Sequence, residues 1–122
     1  MAGRRDGVVI IVSSIAALKG NTVIGLYGVS KAADAALVRN YACEWGPSNI
    51  RVNAILPGLI KTDFARALWE NDKARRAREA ITPLRRLGEA EEIGGIAVFL
   101  ASRAATVITG QTIIADGGVT IA

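Results

Sequence analysis

A continuous β-branched run bounded by glycine and serine, Gly-Val-Val-Ile-Ile-Val-Ser-Ser at residues 7–14, constrains this chain more than any other feature. Its β-branched residues show no polar alternation, which is typical of a parallel strand that is covered on both faces. A strand of this kind needs helices on both sides of its sheet. The run therefore predicts an α/β fold, and the rest of the chain has to supply the helices and the neighbouring strands.

The next two segments alternate between a helical and an extended pattern. Residues 26–45 contain no proline, repeat apolar residues at spacings of three and four, and end before Gly46-Pro47, so they predict a helix. Its apolar face is narrow and rich in alanine, which permits close packing, and it comprises Val29, Ala32, Ala33, Ala36 and Leu37. Residues 49–56 are rich in Val and Ile and are followed by Pro57-Gly58, so they predict a second strand.

Three further elements complete the alternation. Residues 63–80 predict helices that are broken near Asn71-Asp72, and residues 89–102 predict another helix. Residues 110–115 predict a last short strand. Strand, helix, strand, helices and strand in this order build right-handed crossovers and a parallel sheet. We therefore predict one partial domain over residues 1–122, equivalent to half of a doubly wound sheet.

Composition narrows the classes of function. Apolar residues make up 51% of the chain and charged residues 21%, which is sufficient for a buried core. Histidine is absent, which excludes Ser-His-Asp and Cys-His nucleophile systems and most zinc sites, so we predict no metal site. The single cysteine, Cys43, cannot form an internal disulfide, and we interpret it as a core thiol of an intracellular protein.

The start of the chain imitates a signal peptide, because Arg4 and Arg5 precede the apolar run. Asp6 and the two serines interrupt that pattern, and a buried strand explains the same residues. No stretch approaches the ~20 apolar residues of a membrane span. We therefore expect a cytoplasmic protein with no membrane partner.

A basic cluster lies at residues 73–78, with Arg85 and Arg86 after it, and contributes to a net charge of +4. Such a cluster can bind nucleic acid. Here acidic residues are interleaved with it, and no aromatic residues are spaced to stack on bases. We interpret the cluster as a solvated helix face and predict no nucleic-acid partner.

Tyr27 and Lys31 are four residues apart near the start of the predicted helix, so their side chains project from one face. A phenol is a poor base at neutral pH, and a neighbouring ammonium helps it to exchange a proton with an alcohol or a ketone. Ser14 ends the first predicted strand, at the sheet edge where α/β sheets bind ligands, and its hydroxyl can hold a substrate oxygen. Taken alone, the spacing also fits an ordinary surface pair on an amphipathic helix.

Five short motifs decide between these interpretations by their order and spacing. They are Val-Ser-Ser at 12–14, Tyr-Gly-Val-Ser-Lys at 27–31, Arg-Val-Asn at 51–53, Pro-Gly-Leu-Ile-Lys-Thr at 57–62 and Asp-Gly-Gly at 116–118. Together they resemble the C-terminal half of a short-chain dehydrogenase/reductase, and residues 83–93 resemble the family's entry into its last long helix. The resemblance implies the C-terminal half of a Rossmann-like doubly wound parallel sheet, with three strands and flanking helices.

The same resemblance implies an oxidoreductase that uses NAD or NADP on a small-molecule alcohol or ketone. Ser14 is implied to be catalytic, Tyr27 to be the general acid and base, and Lys31 to favour ionised tyrosine and to hold the nicotinamide ribose. The implied cofactor-binding residues are Tyr27, Lys31, Pro57, Gly58, Ile60 and Thr62. Asn53 is implied to be structural, closing a turn, and residues 63–80 to form a variable substrate loop.

The family binds the adenine half of its cofactor on a glycine-rich βα unit, which residues 1–122 do not contain. Gly3 and Gly7 follow no strand and open no helix, so they cannot replace it. The residue that selects NAD or NADP also lies in that unit. We therefore expect this chain alone to bind the cofactor poorly and to be inactive. The alternative is a catalytically silent, truncated module that self-associates. In either case we predict a homo-oligomer, because residues 7–14 would form an apolar sheet edge and the helix at 26–45 would lack the helix beside it, with helix against helix the favoured contact.

Overall fold

The computed structural model of the protein describes residues 1–122, apart from the side chain of Ala2. Its strands are β1 Gly7–Val12, β2 Ile50–Pro57, β3 Ile60–Lys61, β4 Gly88–Glu89 and β5 Thr112–Ala115. Its α-helices are α1 Gly25–Trp45, α2 Arg66–Trp69, α3 Asp72–Ile81 and α4 Ala90–Ala101. Among these described helices, none combines the length and the apolar character that crossing a membrane requires.

The main sheet has three parallel strands in the order β1-β2-β5. Val9 is in register with Val52, and Leu56 is in register with Ile114. A second, two-stranded parallel sheet pairs β3 with β4. The predicted α/β class, with a parallel sheet and flanking helices, is confirmed.

The first strand ends at Val12, two residues before the predicted end at Ser14. The N–H of Ser13 still donates to the carbonyl of Ile55 at 2.8 Å. The chain then enters a 3-10 turn at Ile15–Ala17, which Ser14 caps by accepting a hydrogen bond from the N–H of Ala16 at 3.1 Å. Serine side chains compete for backbone groups in this way, and this competition ends the strand early.

The second and third main strands start later than predicted. Asn49 is in the left-handed region with φ of 55° and closes a 3-10 turn, so β2 begins at Ile50 and runs on to Pro57. Gly110 has φ of +73° and donates its N–H to the carbonyl of Val52 at 2.7 Å. That bend delays the start of β5 until Thr112.

The helices differ from their predicted bounds by a few residues at most. The break predicted near Asn71 is present, because Asn71 caps α3 by accepting a hydrogen bond from the N–H of Ala74 at 2.9 Å. The predicted ends of the last helix, Glu89 and Ser102, are its two flanking caps. Helix α1 starts one residue early, at Gly25.

The core lies on both faces of β2. On one face, Val38 and Ala42 of α1 pack against Val52, Ala54 and Leu56. Ile55 and, on α4, Leu100 are also fully buried. The central strand is therefore covered by a helix on each side, as the apolar sequence pattern of a parallel sheet requires.

Helix α1 packs on the sheet through Val38 and Ala42, whereas Val29 on the predicted alanine-rich face is 66% exposed. One expectation about this helix is wrong, because Cys43 is exposed and is not a core thiol. Its position follows from helix geometry, since it lies about 100° around the helix from Ala42 and so turns away from the sheet.

Asn53 has the structural role expected of it. Its side chain is fully buried in β2, where Nδ2 donates to the carbonyl of Ile108 at 2.9 Å and Oδ1 accepts from the N–H of Gln111 at 3.0 Å. The Asn53 amide therefore links the turn that precedes β5 to the central strand by hydrogen bonds.

Candidate active site

A cleft of about 760 Å³ opens beyond the carboxyl ends of β1 and β2. Its walls are the segment that follows β1, the start of α1, the turn after β2 and part of the segment that contains α2 and α3. In open α/β sheets, ligands bind at this edge. The volume is also within the range of about 300–1,000 Å³ that small-molecule sites occupy.

Most of the residues identified from the sequence meet in this cleft. Six of them line it: Ser14, Tyr27, Pro57, Gly58, Ile60 and Thr62. Lys31 is not among the lining residues. Its Nζ lies over the face of the Tyr27 ring, 5.6 Å from the ring centre.

The two consecutive serines have different surroundings. Ser14 is extended, and its Oγ accepts from the N–H of Ala16, so its own proton remains available to a ligand in the cleft. Ser13 is 8% exposed and donates from its Oγ to Oδ2 of Asp34 at 2.9 Å. Of the two, Ser14 has the geometry to hold a substrate oxygen.

Lys31 also contacts an acidic residue that the sequence interpretation missed. Its Nζ lies 3.2 Å from Oδ2 of Asp34, three residues later on α1. Both side chains are about a quarter exposed, at 26% and 27%. The sequence could have indicated this contact, because Lys31 and Asp34 are three residues apart in a predicted helix and such positions are neighbours.

The turn after β2 is fixed to the end of β5. The N–H of Gly58 donates to the carbonyl of Ala115 at 3.0 Å, and a Cβ on Gly58 would lie 2.9 Å from the Cα of Asp116. Only glycine allows this approach of two backbones. The turn therefore presents Pro57, Gly58 and Ile60 to the cleft in one defined position.

Asp116, whose backbone lies against Gly58, stabilises the turn that follows β5. Burial raises the pKa of its carboxyl, but hydrogen bonds from Thr120 and from the N–H of Gly118 outweigh burial and hold the pKa below its ordinary value. The ionised carboxylate therefore serves as an acceptor for backbone N–H groups of the C-terminal turn.

Ion pairs hold the small β3–β4 sheet next to the cleft. Lys61 pairs with Glu89 at 2.6 Å, and Arg86 pairs with Glu92 at 2.6 Å. The hydrogen bond from Arg86 and that from the N–H of Glu89 lower the pKa of Glu92 to about 2. Glu89 and Glu92 also form a capping box on α4, so this helix and the strand that carries Ile60 are held together.

The cleft is mostly apolar, and its charged lining residues are both cationic. They are Lys19, whose Nζ donates to the carbonyl of Val119 at 2.7 Å, and Arg78 on α3. Phe64 and Leu68 add exposed apolar surface on the side of the predicted substrate loop. No aspartate or glutamate is among the described lining residues, so the cleft favours neutral or anionic ligands over cationic ones.

The basic cluster of residues 73–78 lies on α3 and is partly neutralised. Arg75 contacts Asp72 at 2.5 Å and Glu79 at 3.6 Å. The hydrogen bond from Arg75 lowers the pKa of Asp72, and the same bond raises the pKa of Arg75. These contacts are those of a solvated, ion-paired helix face.

Comparison with known protein families covers almost the whole chain. A family model described as enoyl-(acyl carrier protein) reductase matches residues 1–120. Dehydrogenase/reductase SDR family member 4 of Bos taurus is 45% identical over 118 residues, which are 97% of this chain and 42% of the bovine protein. The chain thus spans less than half the length of this relative.

Solved structures give the same result for the fold. A short-chain type dehydrogenase/reductase from Mycobacterium ulcerans is 41% identical with a TM-score of 0.94, over 99% of this chain and 44% of that one. A gluconate 5-dehydrogenase from Burkholderia cenocepacia J2315, in complex with NADP and tartrate, is 31% identical with a TM-score of 0.95, over 99% and 48%.

Proposed function

This chain belongs to the short-chain dehydrogenase/reductase family, and we propose that its cleft is the proton-transfer half of a site that interconverts an alcohol and a ketone. Tyr27 is the general acid and base, and Ser14 holds the substrate oxygen. Lys31 supplies the positive charge that favours ionised tyrosine. The observation that carries this proposal is that Ser14 and Tyr27 line one cleft while the ammonium of Lys31 contacts the Tyr27 ring.

A nicotinamide cofactor, NAD or NADP, would exchange the hydride with the substrate when bound: its reduced form would supply the hydride to a ketone, and its oxidised form would accept it from an alcohol. The cleft fits the nicotinamide end of such a group, because its volume is sufficient for a small ligand and its lining is mostly apolar, with two cationic and no acidic side chains. We propose that Tyr27 and Lys31 hold the ribose next to the nicotinamide. Pro57, Gly58, Ile60 and Thr62 would hold the nicotinamide carboxamide.

In the reducing direction, the carbonyl carbon of the substrate gains a hydride and its oxygen gains a proton. The hydroxyl of Tyr27 donates this proton, and the phenolate that remains is stabilised by Lys31. In the oxidising direction, the phenolate accepts the proton of the alcohol. The hydroxyl of Ser14 donates to the substrate oxygen in both directions and so orients it towards Tyr27.

To test this function, residues 1–122 are joined to the glycine-rich cofactor-binding half of a family member to give a hybrid enzyme. Oxidation of NADH and of NADPH is then followed with a panel of small ketones. We expect ketone-dependent oxidation of one cofactor by the hybrid and none by the added half alone. A folded hybrid that binds the cofactor and turns over no ketone or alcohol would contradict the proposal.

We propose further that the 122-residue chain on its own is inactive and self-associates. Its described residues include no glycine-rich turn between a strand and a helix. Self-association is supported by Leu26 and Val29 of α1, which are 85% and 66% exposed, and by β1, which is an edge of the main sheet.

We propose that the protein is located in the cytoplasm, and cell fractionation tests this location.

A silent, self-associating module is the second candidate function. The exposed outer face of α1 favours it, since such a face can serve assembly whether or not the cleft is used. The hybrid enzyme separates the two candidates, because a silent module would leave the cleft inactive even when the cofactor is bound.

A further inference from the structure

The carboxylate of Asp34 joins two elements of the site. Its Oδ2 accepts a hydrogen bond from Oγ of Ser13 at 2.9 Å and lies 3.2 Å from Nζ of Lys31. Ser13 follows β1, whereas Lys31 and Asp34 belong to α1. One carboxylate oxygen therefore ties the lysine of the site to the end of a strand.

The contact with Ser13 gives Asp34 a defined orientation. Ser13 is 8% exposed, and its Oγ also lies 3.2 Å from the carbonyl oxygen of Lys31. A hydrogen bond from a buried hydroxyl to a carboxylate is short and strong because the acceptor is charged. Asp34 is thus held on the side of α1 that faces the strand end, where it meets the ammonium of Lys31.

We propose that Asp34 acts through Lys31 as the counter-charge of its ammonium, and so weakens the support that Lys31 gives to ionised Tyr27. The proposal rests on the proposed roles of Tyr27 and Lys31. A negative charge in contact with the ammonium opposes the ionisation of a nearby phenol, because it disfavours a second negative charge.

Few other charged groups face this cluster. Lys19 lies on the cleft wall beyond the 3-10 turn Ile15–Ala17, which carries no titratable side chain, and its ammonium donates to the carbonyl of Val119. Arg78 lies on the wall formed by α3. From β2, Arg51 directs its guanidinium to the carbonyls of Ser102 and Ile108. Asp34 is thus the acidic side chain that contacts Lys31 among the described residues.

Measuring the ionisation of Tyr27 in this chain tests the proposal without cofactor or turnover. A failure of the Asp34 proposal can therefore be distinguished from a failure of the proposed oxidoreductase activity. The chain has two tyrosines, and NMR of ring-labelled tyrosine follows both during one pH titration. Tyr41 stacks on Trp45 and serves as the internal reference. The variant is Asp34→Asn, which keeps an oxygen for Ser13 and removes the charge.

The matched control is Glu44→Gln, which removes the same charge from an exposed position further along α1. We expect Asp34→Asn to lower the midpoint of Tyr27 ionisation by about half a pH unit, as one partly screened charge does. Glu44→Gln should leave the Tyr27 midpoint in place, and the Tyr41 midpoint should stay constant in Asp34→Asn. An unchanged or higher Tyr27 midpoint in Asp34→Asn, or an equal decrease in Glu44→Gln, would overturn the proposal.

Discussion

The ammonium of Lys31 lies 5.6 Å from the centre of the Tyr27 ring, one helical turn further along α1. At that distance a cation interacts with the face of the ring and, once the phenol ionises, with its negative charge. The same ammonium contacts Asp34 at 3.2 Å. In the proposed mechanism, proton transfer in the cleft therefore depends on three side chains that one helix holds together.

The first prediction concerns cofactor binding by the 122-residue chain alone. Only contacts to the nicotinamide end are available in its cleft, so we expect dissociation constants for NADH and NADPH on the order of millimolar or weaker. Fluorescence or calorimetric titration measures them. Saturable binding in the low micromolar range would mean that the described residues contain a phosphate site outside the cleft.

A second prediction concerns Gly58, whose backbone approaches that of Asp116. Gly58→Ala would place a methyl group 2.9 Å from the Cα of Asp116, so the turn after β2 has to move. We expect a loss of about 1–3 kcal/mol in the free energy of unfolding, as for other overpacked sites. Urea denaturation measures this change.

The control for Gly58 makes the same substitution where there is space. Gly95 lies inside α4, and a Cβ on it would meet no atom within 4 Å. Gly95→Ala should raise stability by about 0.5–1 kcal/mol, because alanine favours the helix. Equal effects of the two substitutions would show that the contact with Asp116 is not what requires glycine at position 58.

A third prediction concerns the stability of the protein in acid. The pKa of Glu92 falls from 4.5 to about 2 in the folded chain, because Arg86 and the N–H of Glu89 donate to its carboxylate. A lowered pKa in the folded state stabilises the fold above pH 4.5, and this stabilisation is lost as the pH falls through about 2. Glu92→Gln should therefore lower the urea midpoint at neutral pH, and the difference from wild type should disappear near pH 2.

Glu91→Gln is the matched control for this acid dependence. Glu91 lies next to Glu92 in the first turn of α4, and Arg86 does not contact it among the described ion pairs. Gln at position 92 keeps the capping box, so the comparison isolates the ion pair with Arg86. A pH-dependent loss of the same size in Glu91→Gln would assign the effect to the helix N-terminus in general.

A fourth prediction concerns assembly. Val29 is 66% exposed on α1, and leaving such apolar area in water costs about 25 cal/mol per Å². We expect a symmetric dimer or a larger closed oligomer, and Val29→Glu should shift it towards monomer. Light scattering over a dilution series measures the mass. Val107→Glu, at a 92% exposed position outside the helices and strands, should leave the mass unchanged, whereas a wild-type monomer at micromolar concentration would contradict self-association.

The sequence predicted the parts of the site that depend on local geometry. The spacing of Tyr27 and Lys31 is enough to place both side chains on one helix face, because the helix repeat is fixed. The turn at residues 57–62 was recognisable by its motif and lies in the same cleft as Tyr27. The parallel sheet followed from the apolar pattern of β1 and β2.

Contacts between distant segments could not be predicted in the same way. Asp34 meets Ser13 across 21 positions, and nothing in either local pattern indicates that the two elements approach at this point. Helix α1 is apolar on more than one face, so its periodicity alone did not reveal that Val38 and Ala42 pack on the sheet. The exposure of Cys43 follows from that choice of face.

The most direct test of the proposed chemistry is the turnover of the hybrid enzyme with Tyr27→Phe. The loss of the hydroxyl removes the proton donor and leaves the ring next to Lys31, so kcat should fall by at least about 10²-fold while cofactor affinity stays nearly unchanged. Lys31→Ala should lower both. Tyr41→Phe, which alters a ring stacked on Trp45 outside the cleft, should keep the rate. A Tyr27→Phe hybrid that keeps most of its kcat would contradict the assignment of proton transfer to Tyr27.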